Sequence, residues 1–156
     1  ILVIGIGNQY RSDDGVGFRV IDLLKEDTQL KHVEYIKRKP DGYSLIEEWK
    51  DRELVFVVDA AIAGGPIGTI RRFDALADRV PHLISPLSSH AISLAETIKL
   101  AETLHELPDH MVIYAIEIGN VAYGEELTQE VEEAAQKVAN KIKEECGSSR
   151  LQAPRS

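Results

Sequence analysis

Three residues in this chain combine side-chain chemistry and placement suited to holding a cation: Asp14, Asp59 and His90. Asp14 closes the pair Asp13-Asp14, which stands between Gly5-Ile6-Gly7-Asn8 and Gly15-Val16-Gly17. Glycines directly after a first strand permit a tight turn and close approach of other groups. The same residues also suit a plain strand-to-helix turn with Ser12 or Asp13 as a helix cap. A dinucleotide site is disfavoured, because the spacing is not G-x-G-x-x-G and two adjacent carboxylates would repel a pyrophosphate. Asp59 follows the apolar run 54–58 (LVFVV) and should emerge at that strand's carboxyl end, where open α/β sheets place ligands. A turn-forming Asx motif is its plainer role. If the first and third strands are neighbours, Asp14 and Asp59 face each other across the crevice between them.

His90 lies in Ser88-Ser89-His90, immediately before a helical pattern. A helix N-terminus disfavours imidazolium, so the ring tends to stay neutral, the form that binds metal. The segment 83–93 is nearly free of charge, which argues for packing rather than a solvated loop. Two carboxylates and one imidazole make a reasonable set for a borderline divalent metal with open coordination positions. His32, His82, His105 and His110 sit in polar or loop contexts, where a surface role is the ordinary reading. No G-x-S-x-G elbow, H-E-x-x-H helix or Walker phosphate loop is present, and Cys146 has no evident base beside it.

The elements that would position these residues follow from hydrophobic periodicity. Apolar runs alternate with helical patterns, the signature of an α/β layered domain. Runs 2–6, 54–58 and 111–116 read as strands buried on both faces, and 33–36 as a more polar outer strand. The turn Gly64-Gly65-Pro66 leads into a strand at 69–73, whose short return path predicts an antiparallel partner. Helices are predicted over about 15–25, 42–51 and 92–104. A last helix starts near Thr128 as N-cap, with Glu130, Glu132 and Glu133 at its positive end and Lys137, Lys141 and Lys143 towards its negative end.

Composition narrows the function classes. The 156 residues fit one domain, expected to span 1–146, with 147–156 (GSSRLQAPRS) as a flexible tail. A single cysteine excludes an intrachain disulfide framework and a zinc–thiolate cluster, and suits a reducing, cytoplasmic setting. A net charge of −8 argues against nucleic acid as a partner, since that affinity rests on basic side chains. No apolar run approaches the roughly 18–20 residues that membrane insertion requires.

With these residues in view, the chain resembles the maturation endopeptidases of nickel–iron hydrogenases, from Ile1 to about Lys143. Gly5-Ile6-Gly7-Asn8 with Asp13-Asp14-Gly15-Val16-Gly17 is similar to that family's opening motif. Val58-Asp59-Ala60 resembles its second motif, Ser88-Ser89-His90 its third, and 124–131 (GEELTQEV) its closing segment. The resemblance implies that Asp14, Asp59 and His90 are the metal-binding and catalytic positions. It further implies a three-layer α/β/α fold of the phosphorylase/hydrolase-like kind. Its five-stranded mixed sheet would have the order 2-1-3-5-4, with strand 4 antiparallel at the edge. The implied activity is that of a metal-dependent endopeptidase, which removes a C-terminal extension from the hydrogenase large-subunit precursor. Nickel would be presented by the substrate, with zinc as a stand-in in vitro. The water-activating group stays open, with Asp13 as a candidate base. Two other readings remain: a non-catalytic metal-binding maturation factor, and a peptidyl-tRNA hydrolase-like enzyme. The latter should carry a histidine soon after the opening and a basic face, where this acidic chain has Arg11 to Asp14.

Overall fold

Strands that are apolar at nearly every position must be covered on both faces, and the helices supply the covers. The structure, a computed structural model, describes residues 1–7, 12–27, 30–78, 94–119 and 127–147, with the backbone alone at Ser12 and Asp14. The strands are β1 (Leu2–Ile6), β2 (Glu34–Arg38), β3 (Leu54–Ala61), β4 (Ile70–Asp74) and β5 (His110–Glu117). The described helices are α1 (Val16–Lys25), α2 (Gly42–Trp49), α3 (Leu94–Thr103) and α4 (Gln129–Gly147), with a 3-10 turn at Ser12–Gly15 before α1. The sheet order is β2-β1-β3-β5-β4, as expected. The pairs β1–β2, β1–β3 and β3–β5 are parallel, and β4 runs antiparallel to β5 at one edge.

Alternation along each strand divides the core in two. Val3, Phe56, Val58, Tyr114 and Ile116 face α1 and α4, where Val20, Leu24, Val131, Val138 and Ile142 pack. Leu2, Ile4, Val55, Val57 and Ile113 face α2 and α3, against Ile46, Trp49, Ile98 and Ala101. Each fully buried aliphatic side chain stabilises the fold by about 1.5–3 kcal/mol. The free edge strand β4 is tied to α4 through Arg72, which pairs with Glu145, itself the acceptor of the Tyr114 hydroxyl.

Sequence and structure differ mainly at element ends. β2 runs two residues beyond the expected 36, and α2 stops at Trp49. The α2 start is capped by Asp41, which accepts from Tyr43 N at 3.1 Å and Ser44 N at 3.5 Å. α4 includes Gly147, so the expected tail begins no earlier than residue 148, outside the described residues. The longer α4 leaves its last turn without a basic residue, and Lys143 pairs instead with Asp27 beyond the end of α1, at 3.6 Å. The Thr128 carbonyl accepts from Glu132 N at 2.9 Å, opening the helix as expected of a cap.

Two glycines set how closely α1 sits on the sheet. A Cβ at Gly17 would lie 2.3 Å from the Ile6 carbonyl oxygen and 2.7 Å from that of Val58. A Cβ at Gly5 would lie 2.4 Å from the Gly17 carbonyl oxygen. Backbone therefore meets backbone at the carboxyl ends of β1 and β3, with no space for a side chain. Gly17→Ala should lower stability by about 1–3 kcal/mol or more in urea denaturation. Gly147→Ala, with nothing within 4 Å of the added Cβ, should leave the midpoint nearly unchanged.

Candidate functional site

The strand order reverses between β1 and β3: from β1 the chain crosses to β2 on one side, and β3 opens the other half. Ligand sites in such sheets lie at this switch point, outside the carboxyl ends of the strands. Here the ladder itself opens. β1 pairs with β3 only as far as Gly5↔Val58, whereas β3 continues beside β5 through Asp59↔Ala115 to Ala61↔Glu117. Asp59 is therefore the first residue of β3 past its last pair with β1. Its side chain is partly buried, and its Oδ1 accepts from Ala60 N at 2.8 Å.

The 3-10 turn holding Asp14 lies against β3, because Gly17, three residues on, abuts the Val58 carbonyl. The backbone of Asp14 and the side chain of Asp59 thus flank the same crevice. The Asp14 side chain and His90 lie outside the described residues. By its register, Asp59 belongs with Val55 and Val57 on the sheet face that α3 covers. His90 precedes α3 by four residues in the chain. Among the described residues, no three ligating side chains converge on one point.

Asp13 does something the sequence did not disclose. It is 0% exposed, and its carboxylate accepts from Thr128 N at 2.8 Å, Thr128 Oγ1 at 3.2 Å and Gly119 N at 3.2 Å. The N-cap of α1 is Gly15, which brings no side-chain cap, so Asp13 joins the turn to distant chain instead. A carboxylate sealed from solvent and engaged by these donors is poorly placed to take a proton from water.

Glu117, 2% exposed, is the second buried acid that sequence reasoning missed. It accepts from Ala63 N at 3.0 Å, Gly65 N at 3.4 Å and Arg71 Nη1 at 3.0 Å. These bonds hold the chain that leaves β3 just after Asp59, including the positive-φ turn at Gly64 (φ 88°). A charged residue at the end of the otherwise apolar run 111–118 was the available signal.

Cys146 is 1% exposed beneath α4. Burial pushes its thiol up from the ordinary 9.0 to about 11, with Glu145 adding to the rise and the N-terminal ammonium opposing it. A thiol held protonated is a poor nucleophile. A groove of about 410 Å³ between α1 and α4, bounded by Leu23, Asp27, Asn140 and Lys143, lies at the C-terminal end of α1. That is the end of the molecule away from the crevice.

Comparisons with known proteins agree with this architecture. The family model for hydrogenase maturation proteases (HycI) matches residues 18–145, which include Asp59 and His90 and begin just after the opening motif. The hydrogenase expression/formation protein HupD of Thiocapsa roseopersicina is 28% identical over 120 residues, covering 75% of this chain and 53% of that protein. The chain thus spans about half the length of that relative. The coenzyme F420 hydrogenase subunit delta of Methanothermobacter thermautotrophicus is 29% identical over 174 residues, covering 96% of each chain. Among solved structures, the [NiFe] hydrogenase maturation protease HycI of Thermococcus kodakarensis superposes with a TM-score of 0.69 at 27% identity, covering 94% of this chain and 92% of that one. The chain belongs to the hydrogenase maturation protease family.

Two outcomes follow from the buried acids and the thiol. Glu117→Ala strands buried amides and Arg71 without their acceptor, and should cost about 3 kcal/mol in chemical denaturation. For Cys146 the folded pKa lies above the unfolded one, so its contribution is intact below about pH 9 and is lost as pH rises towards 11. Denaturation midpoints should therefore fall between pH 9 and 11, and alkylation of the native thiol at pH 8 should be far slower than of the unfolded chain.

Proposed function

We propose that this protein is an endopeptidase that removes a C-terminal extension from the large-subunit precursor of a nickel–iron hydrogenase after nickel insertion. The observation that carries the reading is the β1/β3 crevice, flanked by Asp59 and the turn of Asp14, in a chain of this family. On this reading Asp14, Asp59 and His90 contact nickel that the precursor presents, so the metal belongs to the substrate. The donor chemistry fits: a partly exposed carboxylate stands where β3 passes its last pair with β1, with one oxygen accepting from Ala60 N–H and no thiolate to trap the ion permanently. Zinc would be a substitute in vitro. A single cysteine, buried and protonated, suits the reducing cytoplasm in which such a precursor is processed.

Hydrolysis requires water to add to the scissile carbonyl carbon, the C–N bond to break, and a proton to reach the departing amine. When present, the nickel supplies positive charge beside the developing oxyanion. The chain's own part is to orient the precursor through Asp59, Asp14 and His90 and to accept and return the proton. Since Asp13 is engaged elsewhere, that exchange falls to the groups at the crevice itself.

A non-catalytic metal-binding factor would use the same geometry, and cleavage separates the two. Purified protein incubated with nickel-loaded precursor should shorten it, whereas nickel-free precursor with added zinc or nickel, under conditions that block insertion, should stay intact. Binding of loaded precursor without cleavage would replace the protease reading with the binder. Efficient cleavage of the nickel-free form would point to an ordinary metalloprotease. Asp59→Asn and His90→Ala should each lower turnover by at least about a hundredfold, while stability stays within about 1 kcal/mol.

A further inference from the structure

We propose that Asp13 is a positioning residue for this reaction: it clasps the turn carrying Asp14 to the exit of β5 and the start of α4. The proposal rests on the reading of Asp14 as a contact for substrate nickel, and it concerns how that contact is held in place.

Three donor groups on two residues reach Asp13 from chain more than 100 residues away: the amide of Gly119, two residues past β5, and the amide and hydroxyl of Thr128, the residue before α4. Thr128 contributes twice, through its amide to Oδ1 and its hydroxyl to Oδ2, while its carbonyl starts α4. All of these groups donate. An aspartate meets them with two acceptor oxygens, whereas an asparagine would turn an NH2 towards at least one donor. The side-chain type is therefore fixed by the clasp, and the sealed surroundings make each bond costly to lose.

The turn itself is only four residues, Ser12–Gly15, and its far end is pinned by Gly17 against Ile6 and Val58. Asp14 lies between the two anchors. With the Gly17 end fixed by backbone contact, Asp13 is what sets the other end. α4 in turn is braced on α1 by Arg19, which donates to Glu132 at 2.7 Å. A shift at Thr128 would therefore be transmitted to Asp13 and to the residue beside it. Misplacement of a reacting group by about 1 Å can lower turnover by about a hundredfold.

Thr128→Val tests the clasp gently, because it removes the hydroxyl donor and leaves the amide. Thr128→Ser restores the donor. Asp13→Asn is the stronger lesion, and all three are compared with wild type and Asp14→Ala in the full chain, at a temperature well below the onset of melting. Thr128→Val is expected to lower kcat by about tenfold with KM for the nickel-loaded precursor within about threefold, Thr128→Ser to recover it, and Asp13→Asn to lose about a hundredfold. Amide hydrogen exchange over residues 12–17, read on the same proteins without precursor, should rise in Thr128→Val and return in Thr128→Ser. If Asp14→Ala is inactive while Thr128→Val keeps wild-type kcat, the positioning role is overturned and the site reading stands. If Asp14→Ala cleaves normally, the site reading fails and this proposal with it. Unchanged exchange protection in Thr128→Val overturns the clasp whether or not any precursor is cleaved.

Discussion

The closeness of α1 to the sheet is the constraint on which the rest of the structure depends. With no Cβ at Gly5 or Gly17, helix backbone reaches strand backbone at the carboxyl ends of β1 and β3. Any side chain there would hold the helix off by ångströms, and a close-packed interior cannot absorb such a shift locally. Because Gly17 touches the Val58 carbonyl, the chain just before it must pass the residue just after Val58. The glycine contact thus brings the turn of Asp14 to Asp59, although neither glycine takes part in any chemistry.

Buried acids and crevice acids are handled differently in this fold. Asp13 and Glu117 are sealed from solvent, yet each is surrounded by donors from chain segments that leave the sheet's carboxyl end. Bonds from N–H groups to a carboxylate are charge-assisted and strong, and they order the loops that make them. Asp59 is placed differently: it is partly open, where β3 continues past its last pair with β1, and the Ala60 amide donates to one of its oxygens. The hidden acids fix loops, whereas Asp59 keeps part of its surface open to solvent.

The sheet was legible because its strands speak through composition. LVFVV at 54–58 and MVIYAI at 111–116 need cover on both sides, and the short return through Gly64-Gly65-Pro66 leaves β4 no route but antiparallel. Asp59 was legible for a related reason, one charged residue after five apolar ones, although β3 runs on through Ala61 and it is only the pairing with β1 that stops before it. Asp13 was not, because a carboxylate at a helix mouth reads as a local cap, and its partners Gly119 and Thr128 come close only through the tertiary fold. Glu117 was hidden by the same distance, since the groups that donate to it lie in the β3–β4 turn and, with Arg71, on β4. The lysines of α4 do lie towards its carboxyl end, but the helix runs past them to Gly147, so its last turn holds none of them.

The strand-end arrangement also bears on why a loaded partner could be preferred over an empty one. α1 begins at the crevice, and α3, which leads through 104–109 into the amino end of β5, points its own start to the same end of the sheet. Helix N-termini favour negative charge, so the setting supports carboxylates there. On the proposed reading, with Asp14 and Asp59 both turned to the crevice, the two carboxylates would still repel one another, in a protein whose net charge is already −8. A cation carried in by a partner relieves that repulsion, and an empty partner does not. Discrimination then comes from a difference in interaction between two forms of one substrate, which is the only way a binding partner can bias an equilibrium. On the proposed reading no separate sensor is needed, because the repulsion between the crevice acids makes the empty precursor the weaker ligand.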